Sequence, residues 1–132
     1  MKKNFESLKS YIASFSTPPQ VITLAETWLR ESEHIYYSIP GYNLISLPRP
    51  NRVGGGVGLY ISKNFKYSIK FDLMEIMKDV CEYIVVEISL DLNDSIIVVS
   101  LYRPPNTDLQ NFNVKFSTFL DKLTIGKKEE NF

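Results

Sequence analysis

Apolar residues recur at helical spacing near both ends of the chain. Residues three or four positions apart share one face of a helix, because an α-helix has about 3.6 residues per turn. Two such stripes occur: Phe5, Leu8, Tyr11, Ile12 and Phe15, then Leu109, Phe112, Phe116, Phe119 and Leu123. Asn4 is a candidate cap for the first helix, which Pro18 and Pro19 stop, and Gly126 is expected to end the second.

Between these helices the pattern predicts strands. The run VITLAE, from Val21 to Glu26, is largely β-branched and apolar, which is typical of a short buried strand. YNLISL follows a Pro-Gly turn, and GLYISK follows a run of glycines. Tyr67 to Leu73 is predicted to be an edge strand, because Lys66 and Lys70 suit an exposed margin.

Two further runs predict a hairpin. CEYIVVEISL, from Cys81 to Leu90, alternates so that Ile84, Val86 and Ile88 share one face, and the strongly apolar SIIVVSLYRP follows the Asn93-Asp94 turn. The connection is too short for a parallel crossover, which needs about a dozen residues or more. Alternating βαβ units are not visible. We therefore expect an α/β sandwich with helices packed outside largely antiparallel sheets.

Composition narrows the classes of function. Fifteen basic and fifteen acidic residues cancel, which weakens bulk attraction to nucleic acid but leaves room for a local basic patch. Cys81 is the only cysteine, which excludes an internal disulfide and a cysteine-based zinc site. No apolar run is long enough for a membrane span, and the start MKKNFES lacks a signal peptide's apolar core. We expect an intracellular protein without a membrane partner, in a compartment left open.

Glu26 is the first candidate for chemistry. A carboxylate at the carboxyl end of a buried strand is held rigidly and faces the crevice where ligands often bind. Mg²⁺ commonly uses one or two carboxylates together with substrate phosphate oxygens and water. Position alone favours an ordinary exposed glutamate, so the metal interpretation needs support from elsewhere.

The glycine block invites a phosphate-binding interpretation, which its spacing does not support. A dinucleotide fingerprint needs a glycine where Leu59 stands and a helix afterwards, and the Gly-Lys-Ser/Thr ending of a P-loop is absent. We expect the glycines to allow positive φ or close backbone approach at the entrance to a strand. Arg49 and Arg52, just before them, are candidates for contact with a nucleic-acid backbone.

Tyr102 closes the most apolar strand, and Pro104 and Pro105 stop sheet pairing just beyond it. Its hydroxyl is then near the rim and able to donate to a phosphate oxygen, although a core tyrosine with a solvated tip is the commoner outcome. His34, the only histidine, lies in a polar loop and is expected to be exposed rather than catalytic. No HExxH or CxxC pair occurs.

Four segments, taken together, are specific: VITLAETWL, SIPGYNLI, RPNRVGGGVGLYI and IIVVSLYRPPN. In this order they closely resemble the endonuclease domain of LINE-type non-LTR retrotransposons, over about Asn4 to Leu123. That domain belongs to the endonuclease/exonuclease/phosphatase superfamily, with apurinic/apyrimidinic endonucleases and DNase I. The resemblance implies a DNase I-like four-layer α/β sandwich, and a phosphodiesterase that nicks DNA with Mg²⁺.

The resemblance also implies roles for single residues. Glu26 matches the family's metal-binding glutamate, and Tyr102 matches the tyrosine that helps place the scissile phosphate. Arg49, Arg52 and the glycine loop lie in a DNA-facing part of such folds, and with Arg103 these arginines are the candidate nucleic-acid contacts.

The family's pattern is incomplete in residues 1–132. A first strand carrying an active-site asparagine should precede the opening helix, and Gly-Asp-x-Asn and Ser-Asp-His segments should follow the closing one. We therefore expect an incomplete domain that supplies chiefly one of the two facing sheets and has no appreciable nuclease activity alone. Uncovered apolar faces and unpaired edges lead us to expect marginal stability and self-association or aggregation.

Two alternatives to an endonuclease fragment remain. The first is a degenerate, non-catalytic module that binds nucleic acid or another protein. The second is a phosphatase of the same superfamily. Zero net charge weakens the first alternative. The sequences GGGVGLYI and YRPP resemble the retrotransposon branch more than the phosphatases, which weakens the second.

Overall fold

The computed structural model describes residues 2–47 and 55–130, and side chains throughout these ranges except at residues 31 and 126–130. A 3₁₀ turn at Lys2–Asn4 opens the chain, and a 3₁₀ helix at Glu31–Tyr37 precedes the second strand. The other elements are α1 (Phe5–Ala13), β1 (Val21–Ala25), β2 (Tyr42–Leu47), β3 (Val57–Ser62), β4 (Lys66–Ile69), α2 (Phe71–Met74), β5 (Glu82–Ser89), β6 (Ser95–Tyr102) and α3 (Leu109–Glu130).

The strands form two antiparallel sheets of three strands each, in the orders β1-β3-β2 and β4-β5-β6. The predicted α/β class with antiparallel pairing is therefore confirmed. The predicted hairpin is β5–β6, whose register runs from Ser89 opposite Ser95 to Glu82 opposite Tyr102. β4 lies at a sheet edge, as its lysines indicated.

The two sheets face each other across an apolar core. β3 contributes Val57, Leu59 and Ile61 to it, and β5 contributes the predicted face of Ile84, Val86 and Ile88. All six side chains are nearly inaccessible to solvent, and burying each one stabilises the fold by about 1.5–3 kcal/mol. The Ser100 hydroxyl of β6 reaches across this interface and donates to the Gly58 carbonyl of β3 at 3.0 Å and to the Leu24 carbonyl of β1 at 3.4 Å.

Helices cover the outer faces of both sheets. On the first sheet, Phe5 and Ile12 of α1 pack against Tyr60. On the second, Phe119 of α3 meets Tyr83 edge-on, with ring centroids 5.6 Å apart. The layers thus run helix, sheet, sheet, helix. None of the helices in the described ranges has the length and apolar character that a bilayer span requires.

The expectation that the chain supplies chiefly one sheet is wrong. The segments VITLA, YNLISL and VGLYIS pair with one another as a three-stranded first sheet, which packs on the second. The inner face of each sheet is therefore covered by the inner face of the other. Among the strands of the described ranges, β1, β2, β4 and β6 lie at sheet edges, so self-association through an edge stays a prediction that sedimentation can test.

Three local predictions need correction. Asn4 occupies the cap position of α1, but its side chain makes no capping hydrogen bond. The predicted strand over Tyr67 to Leu73 ends at Ile69 and turns into α2, which brings Leu73 onto the core while Phe71 stays 69% exposed. α3 does not end at Gly126 but runs on to Glu130, since a glycine inside a helix costs only about 1 kcal/mol and the KKEE that follows favours helix.

Candidate functional site

Four strand ends meet at one end of the sandwich. β1 ends beside the start of β3, and β5 begins opposite the end of β6. Two hydrogen bonds join the sheets there: Tyr102 donates to Glu26, and the Gly56 N–H donates to Glu82. Together with Gly55, these four residues are called the rim site below.

Glu26 and Tyr102 are in direct contact at the rim site. The Tyr102 hydroxyl donates to Glu26 Oε1 at 2.5 Å. The tyrosine ring is half-buried against the core between the sheets, whereas Glu26 is exposed. A rigid aromatic stem thus positions a solvent-accessible carboxylate. The two residues that the sequence singled out as catalytic candidates lie at one place, although 76 positions separate them.

The backbone around Glu26 is strained. Glu26 has φ +52° and Trp28 has φ +57°, and the left-handed region costs an L-residue about 1–2 kcal/mol. Thr27, between them, is only 1% exposed. Its N–H donates to the Gly56 carbonyl at 3.2 Å, and the Trp28 N–H donates to the Gly55 carbonyl at 2.9 Å. These bonds hold the strained turn against the start of β3.

The glycines serve this close approach. Gly55 and Gly56 have φ +65° and +85°, and a Cβ on Gly56 would lie 2.7 Å from Thr27 Oγ1. A side chain at Gly56 would therefore displace Thr27 and the turn that carries Glu26. The predicted structural use of the glycine block is confirmed at these two positions, while Gly54 lies outside the described residues.

Glu82 belongs to the rim site, and our sequence reasoning missed it. Its Oε2 accepts the Gly56 N–H at 3.3 Å, which ties the second sheet to the glycine turn of the first. The Asn93-Asp94 turn did not indicate this residue, because a hairpin centred there would pair Tyr102 with Val85. The observed hairpin is centred on Leu92, and this register places Glu82 directly across the ladder from Tyr102.

Cys81, next to Glu82, is no nucleophile for this site. It is buried among the residues that pack under α3, on the outer side of its sheet. Burial, and to a smaller extent the Glu82 charge, raises the pKa of the Cys81 thiol to about 11. At neutral pH the thiol is protonated and therefore unreactive.

Among the candidate arginines, Arg103 contacts the chain around the start of α3. Arg103 Nη1 donates to the Thr107 carbonyl at 3.4 Å and to its Oγ1 at 3.3 Å, and the guanidinium lies 5.8 Å from the Phe112 ring centroid. These contacts pin the loop that leads into α3, which is a structural role. Arg49 and Arg52 lie outside the described residues.

His34 is neither in a loop nor fully exposed, so that expectation is wrong. It lies in the 3₁₀ helix Glu31–Tyr37, half-buried, and its Nδ1 is 2.7 Å from Ser46 Oγ. Ser46 lies on the same face of β2 as Tyr42 and Leu44, because every second residue of a strand points to the same side. Tyr42 and Leu44 face α1 on the outer side of the first sheet. His34 is thus on the opposite face of the sheet from Tyr102.

The rim site fits one kind of metal binding only. Within residues 2–47 and 55–130, no three or more His, Cys, Asp and Glu side chains are grouped to hold a metal ion. A closed zinc or calcium cage is therefore not formed by these residues. The exposed Glu26 carboxylate does fit the open arrangement in which Mg²⁺ takes one or two carboxylates and completes its shell with phosphate oxygens and water.

Comparison with known proteins adds no family. The sequence matches no protein-family model, and it matches no curated protein. A function for this chain therefore rests on the geometry of the rim site and on the motif resemblance.

Proposed function

We propose that the rim site is the metal-binding and phosphate-orienting part of a Mg²⁺-dependent DNA endonuclease of the LINE-type retrotransposon kind, in the endonuclease/exonuclease/phosphatase superfamily. The observation that carries the proposal is the 2.5 Å bond between Tyr102 and Glu26. The resemblance implies one phosphodiesterase site for both residues, and this bond joins them although 76 positions separate them in the chain. The helix, sheet, sheet, helix layering is compatible with the sandwich that the resemblance implies.

Each residue of the rim site has a role in this proposal. Glu26 holds Mg²⁺, which when bound supplies Lewis-acid stabilisation of charge developing on the phosphate. Tyr102 donates to Glu26 in the free protein, and it donates to a non-bridging phosphate oxygen when DNA lies against the carboxylate. The bond from the Gly56 N–H to Glu82 holds the glycine turn against the second sheet.

We propose further that these 132 residues do not hydrolyse DNA alone. Hydrolysis needs a group that takes a proton from the attacking water, and donors for the developing charge. His34 lies on the far face of the first sheet, and Glu82 accepts the backbone N–H of Gly56. The same shortage supports the alternative of a non-catalytic module that binds nucleic acid.

Metal binding at Glu26 is the first test. Trp28 is the only tryptophan, so it can sensitise the luminescence of Tb³⁺ bound two residues away. We expect saturable Tb³⁺ emission that excess Mg²⁺ reverses, and we expect Glu26→Gln to abolish it. Glu6→Gln, which removes the same charge from the exposed face of α1, is the matched control. Equal Tb³⁺ affinity in the wild type and in Glu26→Gln would overturn the proposed metal role.

Plasmid nicking is the second test. We expect no Mg²⁺-dependent conversion of supercoiled to open-circular DNA by the chain alone. Robust nicking that Glu26→Gln abolishes would refute the inactivity but support the endonuclease. DNA binding that is indifferent to Mg²⁺ and to Glu26→Gln would favour the non-catalytic module.

A further inference from the structure

Trp28 holds a large aromatic ring in solvent beside the rim site. Its side chain is 52% exposed, whereas its neighbours Thr27 and Leu29 are 1% and 4% exposed. Core packing does not account for it, because a tryptophan placed for stability buries most of its apolar surface.

The backbone that carries this ring is held in an unusual conformation. A φ of +57° is an outlier for so bulky a residue. The 2.9 Å bond from the Trp28 N–H to the Gly55 carbonyl holds that conformation, and the buried side chains on either side anchor the chain. Strain that the surroundings maintain is concentrated at binding and catalytic sites, and here the strained residue carries an exposed aromatic ring.

We infer that Trp28 is a stacking surface for an unpaired nucleobase of the DNA strand whose phosphate lies at Glu26 and Tyr102. This rests on the proposed function, because the phosphate position comes from it. Glu26 and Trp28 are two positions apart, so their Cα atoms are separated by at most about 7 Å. A base next to the phosphate at Glu26 is therefore within reach of the indole. The base must be unpaired, because a base inside a duplex has both faces covered by its neighbours.

Stacking also provides a source of DNA affinity that does not depend on net positive charge. With fifteen basic and fifteen acidic residues, the chain has little net attraction for phosphates. Every base has an aromatic face, so stacking on Trp28 supplies affinity that is tolerant of sequence and is screened little by salt.

The experiment uses the 132-residue chain with a short fluorescein-labelled single-stranded oligodeoxynucleotide and the blunt duplex of the same sequence, in Mg²⁺, at low and moderate salt. Anisotropy measures affinity, and quenching of Trp28, the only indole, reports stacking without a mutation. We expect quenching by the single strand and little by the duplex. Trp28→Ala should weaken single-strand binding by roughly tenfold or more, with an unchanged salt slope, and Trp28→Phe should restore most of it.

Phe71→Ala removes a still more exposed ring, 69% accessible, from α2, and should bind like the wild type. Single-strand binding without Trp28 quenching, or with wild-type affinity in Trp28→Ala, overturns the stacking role and leaves the endonuclease proposal standing. Failure of both oligonucleotides to bind, together with Tb³⁺ binding that ignores Glu26→Gln, overturns the proposed function and this inference with it.

Discussion

Gly56→Ala tests whether the glycine turn holds the candidate site together. Gly56 has φ +85°, and a Cβ there would meet Thr27 Oγ1 at 2.7 Å. Gly41 provides a matched control, because it has φ +89° and nothing within 4 Å of its Cβ position. Alanine at Gly41 therefore experiences the backbone strain alone, whereas alanine at Gly56 experiences the same strain and a collision.

The expected magnitudes follow from these two contributions. A left-handed alanine costs about 1–2 kcal/mol, and the lower entropy of the unfolded chain offsets about 0.4–1 kcal/mol of that. Gly41→Ala should thus destabilise the fold by about 1 kcal/mol. At Gly56 the collision moves a side chain that is 1% exposed, which adds about 1–3 kcal/mol. Gly56→Ala should therefore destabilise it by about 2–4 kcal/mol.

Urea unfolding of the three proteins, followed by circular dichroism, measures these differences. Tb³⁺ titration adds a functional readout. The backbone N–H groups of Thr27 and Trp28 donate to the Gly56 and Gly55 carbonyls, so the glycine turn holds the segment that carries Glu26. Gly56→Ala should lose Tb³⁺ affinity in urea-free buffer, and Gly41→Ala should keep it. Equal destabilisation by the two alanines would refute the close packing of Thr27 on Gly56.

Three further predictions concern stability. Glu26→Gly should be about 1 kcal/mol more stable in urea than Glu26→Ala, because glycine adopts the φ of +52° without strain; the reverse order would argue against a left-handed residue. Ser100→Ala should lose about 1 kcal/mol, because the buried Gly58 carbonyl loses its donor from β6, whereas Ser68→Ala, on the exposed margin of β4, should change little. Burial raises the pKa of Cys81 from 9.0 to about 11. The unfolded chain then ionises first, so stability is full below pH 9 and falls as the pH rises toward 11; Cys81→Ala should flatten this fall, and urea midpoints that are identical at pH 8 and pH 10.5 would contradict it.

Much of the fold follows from local patterns. The helical stripes of α1 and α3 and the alternation of β5 report which side chain faces the core, and that periodicity is a property of neighbouring residues. The short Asn93-Asp94 connection limited β5 and β6 to an antiparallel pair. Element ends were predicted less well, as at Gly126, where the helix continues, and at Ile69, where β4 gives way to α2.

Within the candidate site, the motifs indicated Glu26 and Tyr102 but could not show that they touch. That contact depends on two sheets stacking in one register, which is decided by the interlocking of side chains from β3 and β5. The same register brought in Glu82 through its bond to Gly56.

The sequence by itself determined the elements, the antiparallel pairing of the hairpin and the residue types available for phosphate chemistry, because these depend on periodicity and on side-chain identity. Only the tertiary structure decided that the chain builds both sheets, that Glu26 and Trp28 adopt a left-handed backbone, and that Thr27 fills the space above Gly56. Such features arise from packing between segments far apart in the chain, where no local preference reaches.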